Sequence, residues 1–111
     1  MVWHQGTLYE ARDVLGGQFN YAKVIPGKEE FYETIRYFHH ELKHHGVKIV
    51  LNTQVTPELI AEQRFDDVVI ATGVVPRSLV GKLDGAERAN VISYADLLSG
   101  KVVAGKRVAV I

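Results

Sequence analysis

A regular stripe of large apolar residues limits the folds open to this chain. Four of them recur at spacings of four, three and four residues: Phe31, Ile35, Phe38 and Leu42. This spacing is typical of an amphipathic helix. Pro26-Gly27 prevents a helix from starting earlier, and Gly46 ends it. The sequence therefore predicts a helix over 28–45 whose stripe packs on a sheet, with His40 and His44 in water.

Short β-prone segments alternate with this helix. Strands are predicted at 7–10, 47–51, 68–71, 91–92 and 106–111. Segment 68–71 is apolar throughout, which is typical of a central strand covered on both faces. Two shorter helices are predicted after the capping residues Thr56 and Ser93. The alternation predicts an α/β fold with a mostly parallel sheet flanked by helices.

Charge and composition exclude several classes of function. The 111 residues, enough for one small domain, include 13 basic and 13 acidic residues, so no basic field exists to hold nucleic acid or an anionic membrane. Cysteine is absent, which excludes disulfides and cysteine-ligated metals. No apolar stretch approaches the roughly 18 residues of a membrane span, and no signal sequence is evident. The expected location is the cytoplasm.

Glu10 and the glycine pair that follows it form the first candidate site. An acid at the end of a strand in a dinucleotide-binding fold accepts hydrogen bonds from ribose hydroxyls. Gly16-Gly17, six residues later, would let the backbone approach a cofactor. On spacing alone, an ordinary surface glutamate beside an ordinary turn is the more frequent explanation.

The second candidate site follows the apolar segment 68–71. Ala71-Thr72-Gly73 ends this segment, and Pro76-Arg77 follows shortly after. Small residues there let the backbone pass close to a bound nucleotide. A central strand followed by a turn, with no ligand, explains the pattern equally well.

The sequence gives little support for metal binding, nucleophilic catalysis or a phosphate-binding turn. His40 and His44 have the four-residue spacing of helical metal sites, but solvated side chains at a helix end explain them more simply. No serine or threonine has a histidine and an acidic residue nearby to activate it as a nucleophile, so no catalytic residue is predicted. No metal site is predicted either. No two glycines are spaced as Gly-x-Gly, so the phosphate-binding turn of a dinucleotide domain is missing from the sequence.

Four motifs in order give the chain a family resemblance. They are Thr-Leu-Tyr-Glu-Ala at 7–11, Gly-Gly-Gln-Phe-Asn at 16–20, Pro-Gly-Lys-Glu-Glu-Phe at 26–31 and Ala-Thr-Gly-Val-Val-Pro-Arg at 71–77. Together they resemble bacterial NADPH-dependent 2,4-dienoyl-CoA reductases, and the match runs from about His4 to Ile111. In that family a flavin-bearing barrel and an iron–sulfur segment precede an FAD-binding domain, into which an NADPH-binding domain is inserted.

The resemblance implies a domain division and a set of cofactor-binding residues. Residues 1–104 would be an incomplete, Rossmann-like FAD-binding domain without its first strand and Gly-rich loop. Residues 105–111 would be the first strand of a truncated NADPH-binding domain. Glu10 would hold the adenosine ribose, and the backbone of Val55 would meet the adenine. The remaining implied contacts to FAD are Gly17, Gln18, Lys28, Ala71, Thr72 and Gly73.

The resemblance also implies a parent oxidoreductase that reduces unsaturated fatty acyl-CoA thioesters. FAD would belong to this region, whereas NADPH, FMN and the iron–sulfur cluster would be bound by parts absent here. The chain alone is expected to be inactive and to bind FAD weakly or not at all. A trimethylamine dehydrogenase-like flavoprotein and a self-sufficient, non-catalytic α/β module that binds a nucleotide or a protein remain alternatives.

The expected partners are the missing parts of the parent enzyme. A slot is expected between the strand ending at Glu10 and the strand 68–71, where the first strand of a complete domain would lie. Segment 106–111 is apolar on both faces, and we expect it to fill this slot. It would do so within its own chain or by exchange in a homodimer.

Overall fold

One 15-residue helix, three shorter helices and two short strands make up the described structure. The computed structural model describes residues 4–111. In chain order its elements are β1 (Thr7–Tyr9), α1 (Phe19–Ala22), α2 (Glu30–His44), β2 (Lys48–Val50), α3 (Pro57–Gln63) and α4 (Tyr94–Leu98).

The strands β1 and β2 pair in parallel, as the sequence predicts. Leu8 lies opposite Ile49, and the ladder continues beyond β1 through a 2.9 Å hydrogen bond from the Glu10 amide to the Val50 carbonyl. Parallel neighbours need a crossover connection, and α2 provides it. The chain is therefore α/β, with a two-stranded parallel sheet flanked by helices.

Helix α2 forms where the apolar stripe predicts it, but its inward face is narrower than expected. Phe31 packs against Phe19 with ring centroids 4.8 Å apart, and Ile35 and Leu42 are half-buried. Phe38 is 58% exposed, so its predicted burial is wrong. A two-stranded sheet covers only part of the helix, which leaves Phe38 against the neighbouring Tyr37 ring at 5.3 Å. His40 and His44 are exposed, as predicted.

The capping predictions are confirmed at both short helices. The Thr56 hydroxyl accepts a hydrogen bond from the Leu59 amide at 3.3 Å, with Pro57 in the first turn of α3. The Ser93 hydroxyl accepts one from the Asp96 amide at 3.0 Å and also contacts the Asp96 carboxylate at 2.7 Å. The sequence does not predict α1, because a four-residue element is too short to show periodicity.

Three predicted strands do not form. Segments 68–71, 91–92 and 106–111 have no strand partner in the described chain. Val69 is 89% exposed and Val110 is 93% exposed. A strand is defined by its hydrogen-bonded neighbour, and apolar sequence cannot supply one. The expectation that 106–111 fills a slot within its own chain is therefore wrong for this structure.

The molecule is open and elongated. Its radius of gyration is 18.2 Å, against about 13 Å for a compact domain of this length. Among residues 4–111 no side chain is fully buried. Within the same residues, no helix is both long enough and apolar enough to cross a membrane. The contacts between elements lie mainly between the two strands, between α1 and α2, and between α2 and β2.

Candidate functional site

Glu10 lies at the carboxyl end of β1 and its backbone is fixed from two sides. Its amide donates to the Val50 carbonyl, and its carbonyl accepts a 3.0 Å hydrogen bond from the Thr53 amide. The carboxylate Oε1 accepts from the Arg12 amide at 2.9 Å. In the described chain this is the carboxylate's one hydrogen bond, so Oε2 is available to accept a bond from a ligand hydroxyl.

The two glycines of the loop before α1 have different surroundings. Gly16 has a φ of +116°, and a Cβ there would lie 2.9 Å from both Ile35 Cδ1 and Asn20 Nδ2. Gly17 has a φ of +47°, and a Cβ there would have no neighbouring atom within 4 Å. Gly16 therefore lets the loop pack on α2, whereas Gly17 presents uncovered backbone to the outside.

Gln18 connects this loop to a segment distant in sequence. Its Nε2 donates to the Val74 carbonyl at 3.2 Å, across 56 positions of chain. Val74 directly follows Gly73, which has a φ of +71°. A Cβ at Gly73 would have no neighbouring atom within 4 Å, so the backbone there is uncovered. Ala71 and Thr72 lie just before Gly73, exposed and outside any helix or strand. The structure thus brings the second candidate segment to the first.

Val55 lies close to a residue that is hydrogen-bonded to Glu10, whereas in the described chain Lys28 has only local contacts. Val55 is half-buried in the irregular segment after β2, two residues beyond Thr53, whose amide donates to the Glu10 carbonyl. Lys28 lies in the turn before α2, where its amide donates to the Ile25 carbonyl at 3.0 Å. No hydrogen bond or ion pair of the described residues joins the Lys28 side chain to another candidate. Lys28 stays a prediction from the resemblance alone.

Two cations near the loop are missing from the sequence-based candidates. The Arg12 guanidinium lies over the Tyr21 ring, 5.4 Å from its centroid. Lys23 Nζ donates to Asn20 Oδ1 at 2.9 Å and lies 4.9 Å from the centroid of the Tyr32 ring. The position of Arg12, two residues after Glu10, is a signal that could have found it. The Lys23 contacts depend on α1, which the sequence does not reveal.

The titratable groups elsewhere have local explanations. The His40 and His44 rings stack with centroids 6.2 Å apart, but residues 4–111 contain no cluster of three ligands able to hold a metal. A hydrogen bond from Arg36, together with its charge, lowers the pKa of Glu33. Backbone amides of Glu29 itself and of Gly27 lower the pKa of Glu29. Both carboxyls lie where α2 begins.

Several known oxidoreductases are similar to the chain in sequence. No protein-family profile matches it. The chain is 38% identical over 109 residues to N,N-dimethylglycine/sarcosine dehydrogenase of Chromohalobacter salexigens, covering 95% of the chain and 16% of that protein. It is 35% identical over 101 residues to NADH oxidase of Thermoanaerobacter brockii, covering 89% of the chain and 15% of that protein.

The chain is also similar to an oxidoreductase whose structure has been solved. The 2-naphthoyl-CoA reductase complex with 2-naphthoyl-CoA matches 92% of the chain and 15% of its own length, with a TM-score of 0.79 and 33% identity. The relatives are oxidoreductases. The chain spans only 15–16% of the length of these three proteins, so their activities describe assemblies much larger than the chain.

Proposed function

We propose that this chain provides the adenosine-binding part of an FAD site in a flavin-dependent oxidoreductase. The hydrogen bond from Gln18 to the Val74 carbonyl is the observation that carries the proposal. It joins the loop with the open Gly17 to the segment with the open Gly73. A dinucleotide needs uncovered backbone for close approach, and this hydrogen bond joins two such stretches.

The donor and acceptor groups fit the adenosine end of FAD. Glu10 offers a free carboxylate oxygen to the ribose hydroxyls, and the backbone near Val55 is anchored to Glu10 through Thr53. Bound FAD supplies hydride and electron transfer. In this chain, Glu10 orients the ribose and the two open glycines allow the cofactor to lie against backbone. The sequence holds no Gly-x-Gly turn for the diphosphate, so binding by the chain alone should be weak.

The proposed reaction of the larger enzyme is the NADPH-dependent reduction of a 2,4-dienoyl-CoA thioester. In the net reaction one NADPH and one proton would be consumed, one double bond of the conjugated system would be saturated, and NADP⁺ and an enoyl thioester would form. The four motifs that resemble this family support the proposal, as does the likeness to a reductase of another CoA thioester. In this arrangement 1–104 belongs to the FAD domain and 105–111 begins the NADPH domain. NADPH, FMN and an iron–sulfur cluster would be bound elsewhere.

An amine dehydrogenase of the trimethylamine dehydrogenase type is the second candidate. The 38% identity to N,N-dimethylglycine/sarcosine dehydrogenase favours it. An assay of the complete gene product separates the two. Oxidation of NADPH that depends on a dienoyl-CoA supports the first candidate, whereas reduction of an electron acceptor by sarcosine supports the second.

A titration with FAD tests the site in the chain itself. We expect purified chain to lose flavin on gel filtration but to raise the fluorescence anisotropy of FAD at high protein concentration. Glu10→Gln should weaken this binding about tenfold, since a hydrogen bond to a charged group contributes about 1.5 kcal/mol or more. Glu87→Gln, at an exposed position outside the site, is the matched control. Equal affinities of these two variants would refute the role of Glu10.

A further inference from the structure

The end of helix α2 carries four histidines, and two of them form a stacked pair. All four are exposed: His39, His40, His44 and His45. Residues four positions apart lie one above the other on a helix. The rings of His40 and His44 accordingly stack, with an angle of 10° between their planes and centroids 6.2 Å apart. The pair spans the last turn of α2 and belongs to neither end of the proposed FAD site.

The backbone beneath this pair is held in place where the helix meets the sheet. Between the two histidines, Glu41 and Leu42 are half-buried. The Val47 amide donates to the Leu42 carbonyl at 2.8 Å, and the His45 amide donates to the Glu41 carbonyl at 2.9 Å. These bonds end the helix directly before β2. A ligand that binds both rings therefore has little backbone freedom to restrict, which lowers the cost of binding.

The chemistry of this helix end favours a cation with nitrogen ligands. Unsatisfied carbonyls give the end of a helix a partial negative charge, which attracts cations. The neighbouring acid, Glu41, already has a partner, because its Oε2 lies 3.6 Å from His45 Nε2. Imidazole suits Cu²⁺, Zn²⁺ and Ni²⁺, whereas Mg²⁺ and Ca²⁺ are bound by oxygen. The part of the chain that the structure describes offers no third protein ligand, so water would complete the coordination.

We propose that His40 and His44 together bind a late first-row divalent metal ion, of which Cu²⁺ is held most tightly. Each histidine supplies one nitrogen of its neutral ring. Two imidazoles on one ion have ring centroids about 5 Å apart. The exposed rings, now 6.2 Å apart, need to approach by only about 1 Å to reach this spacing. The ion takes no part in the FAD site, so the inference does not depend on the proposed function.

Binding across one turn should stabilise the end of α2. An ion that requires both rings in helical register binds the folded helix better than the unfolded chain, so it shifts the equilibrium toward the helix. Amide hydrogen exchange in 41–47 should therefore slow when Zn²⁺ is added. The same addition should leave exchange in His44→Gln unchanged. Slower exchange in both proteins would show that the ion acts elsewhere and would overturn the proposal.

Calorimetric titration of the 111-residue chain with CuCl₂ tests the ligands directly. We expect Cu²⁺ to bind more tightly than Zn²⁺, and Mg²⁺ not to bind. His40→Gln and His44→Gln should each weaken Cu²⁺ binding about tenfold or more, since loss even of a group that only orients a ligand typically costs roughly 10–100-fold in metal affinity. His39→Gln, which removes an exposed histidine outside the pair, is the matched control and should bind as the unchanged chain does.

A pair moved along the helix tests the spacing itself. Arg36 is exposed and lies four residues before His40, so Arg36→His combined with His44→Gln restores a four-residue pair one turn earlier. This double variant should recover the Cu²⁺ affinity that His44→Gln loses, with far-UV circular dichroism confirming that α2 is intact. Failure to recover it with an intact helix would overturn the proposal. A loss in His39→Gln as large as that in His44→Gln would also overturn it, because binding would then follow the number of histidines and not their arrangement.

Discussion

Among single residues, Gly16 is the position where a small substitution should destabilise the chain. The methyl group of Gly16→Ala would meet Ile35 and Asn20 at 2.9 Å, at a φ that alanine rarely adopts. We expect the free energy of unfolding to fall by about 1–3 kcal/mol. Gly105→Ala, where φ is not positive and the space is open, is the control. Urea unfolding followed by circular dichroism measures both, and equal midpoints would contradict the packing described.

The separate roles of the two adjacent glycines could not be predicted from the sequence. The pattern Gly16-Gly17 predicts that backbone in this loop approaches a cofactor. The structure assigns close packing to Gly16 and open backbone to Gly17. This difference depends on where Ile35 and Asn20 lie, and a one-dimensional pattern does not contain that information.

The ion pair of Glu33 and Arg36 predicts a pH dependence of definite sign. The Arg36 Nε–H donates to Glu33 Oε2 at 2.9 Å, and this bond together with the Arg36 charge holds the pKa of Glu33 below its ordinary value. Because the pKa of Glu33 is lower in the folded chain than in the unfolded chain, the ion pair stabilises the fold at a pH above the unfolded-state pKa. This stabilisation is lost as the pH falls through the folded-state pKa. An NMR titration should show the Glu33 pKa rising in Arg36→Gln. No change would refute the pairing.

Among the secondary-structure elements, local signals predict helices well and strands poorly. The limits of α2 follow from Pro26-Gly27 and Gly46, and its i, i+3 and i+4 contacts lie within one segment. Segment 68–71 has equally clear apolar character but remains unpaired and exposed. A strand requires hydrogen bonds from another part of the chain, so its sequence alone cannot establish that it is paired.

Two phenylalanines of the same predicted stripe should differ in their effect on stability. Phe31 packs on Phe19 at 4.8 Å and is half-buried, whereas Phe38 is 58% exposed. Phe31→Ala should therefore cost clearly more stability than Phe38→Ala, up to about 3 kcal/mol. Thermal unfolding of the two variants compares them directly. A larger loss for Phe38→Ala would show that further structure covers this face of α2.

The capping serine of α4 should control that helix. The Ser93 hydroxyl accepts a hydrogen bond from the Asp96 amide at 3.0 Å. Removal of an N-cap side chain typically costs about 1 kcal/mol of stability. Ser93→Ala should increase amide hydrogen exchange in 94–98 and weaken the contact between the Tyr94 and Tyr21 rings, which lie 6.1 Å apart. Ser93→Thr, which keeps the hydroxyl, should restore protection. Equal exchange in both variants would contradict a capping role.

For the molecule as a whole, the open shape leaves apolar segments uncovered. Val110 and Ile111 are 93% and 92% exposed. We propose that 106–111 pairs with a sheet edge of a second copy, since exposed apolar strands are prone to such pairing. Light scattering after gel filtration should show a concentration-dependent dimer that deletion of 106–111 abolishes. A deletion variant that dimerises as the full chain does would refute strand exchange.

NMR mapping of ligand contacts decides whether this chain holds the adenosine end of FAD. The ¹⁵N-labelled chain would be titrated with FAD and, separately, with FMN, which has the flavin but no adenosine. We expect the amide signals of Glu10, Gly17 and Val55 to shift with FAD and to stay unchanged with FMN. Equal shifts with both flavins, or FAD shifts that omit Glu10, would show that the adenosine is not held here.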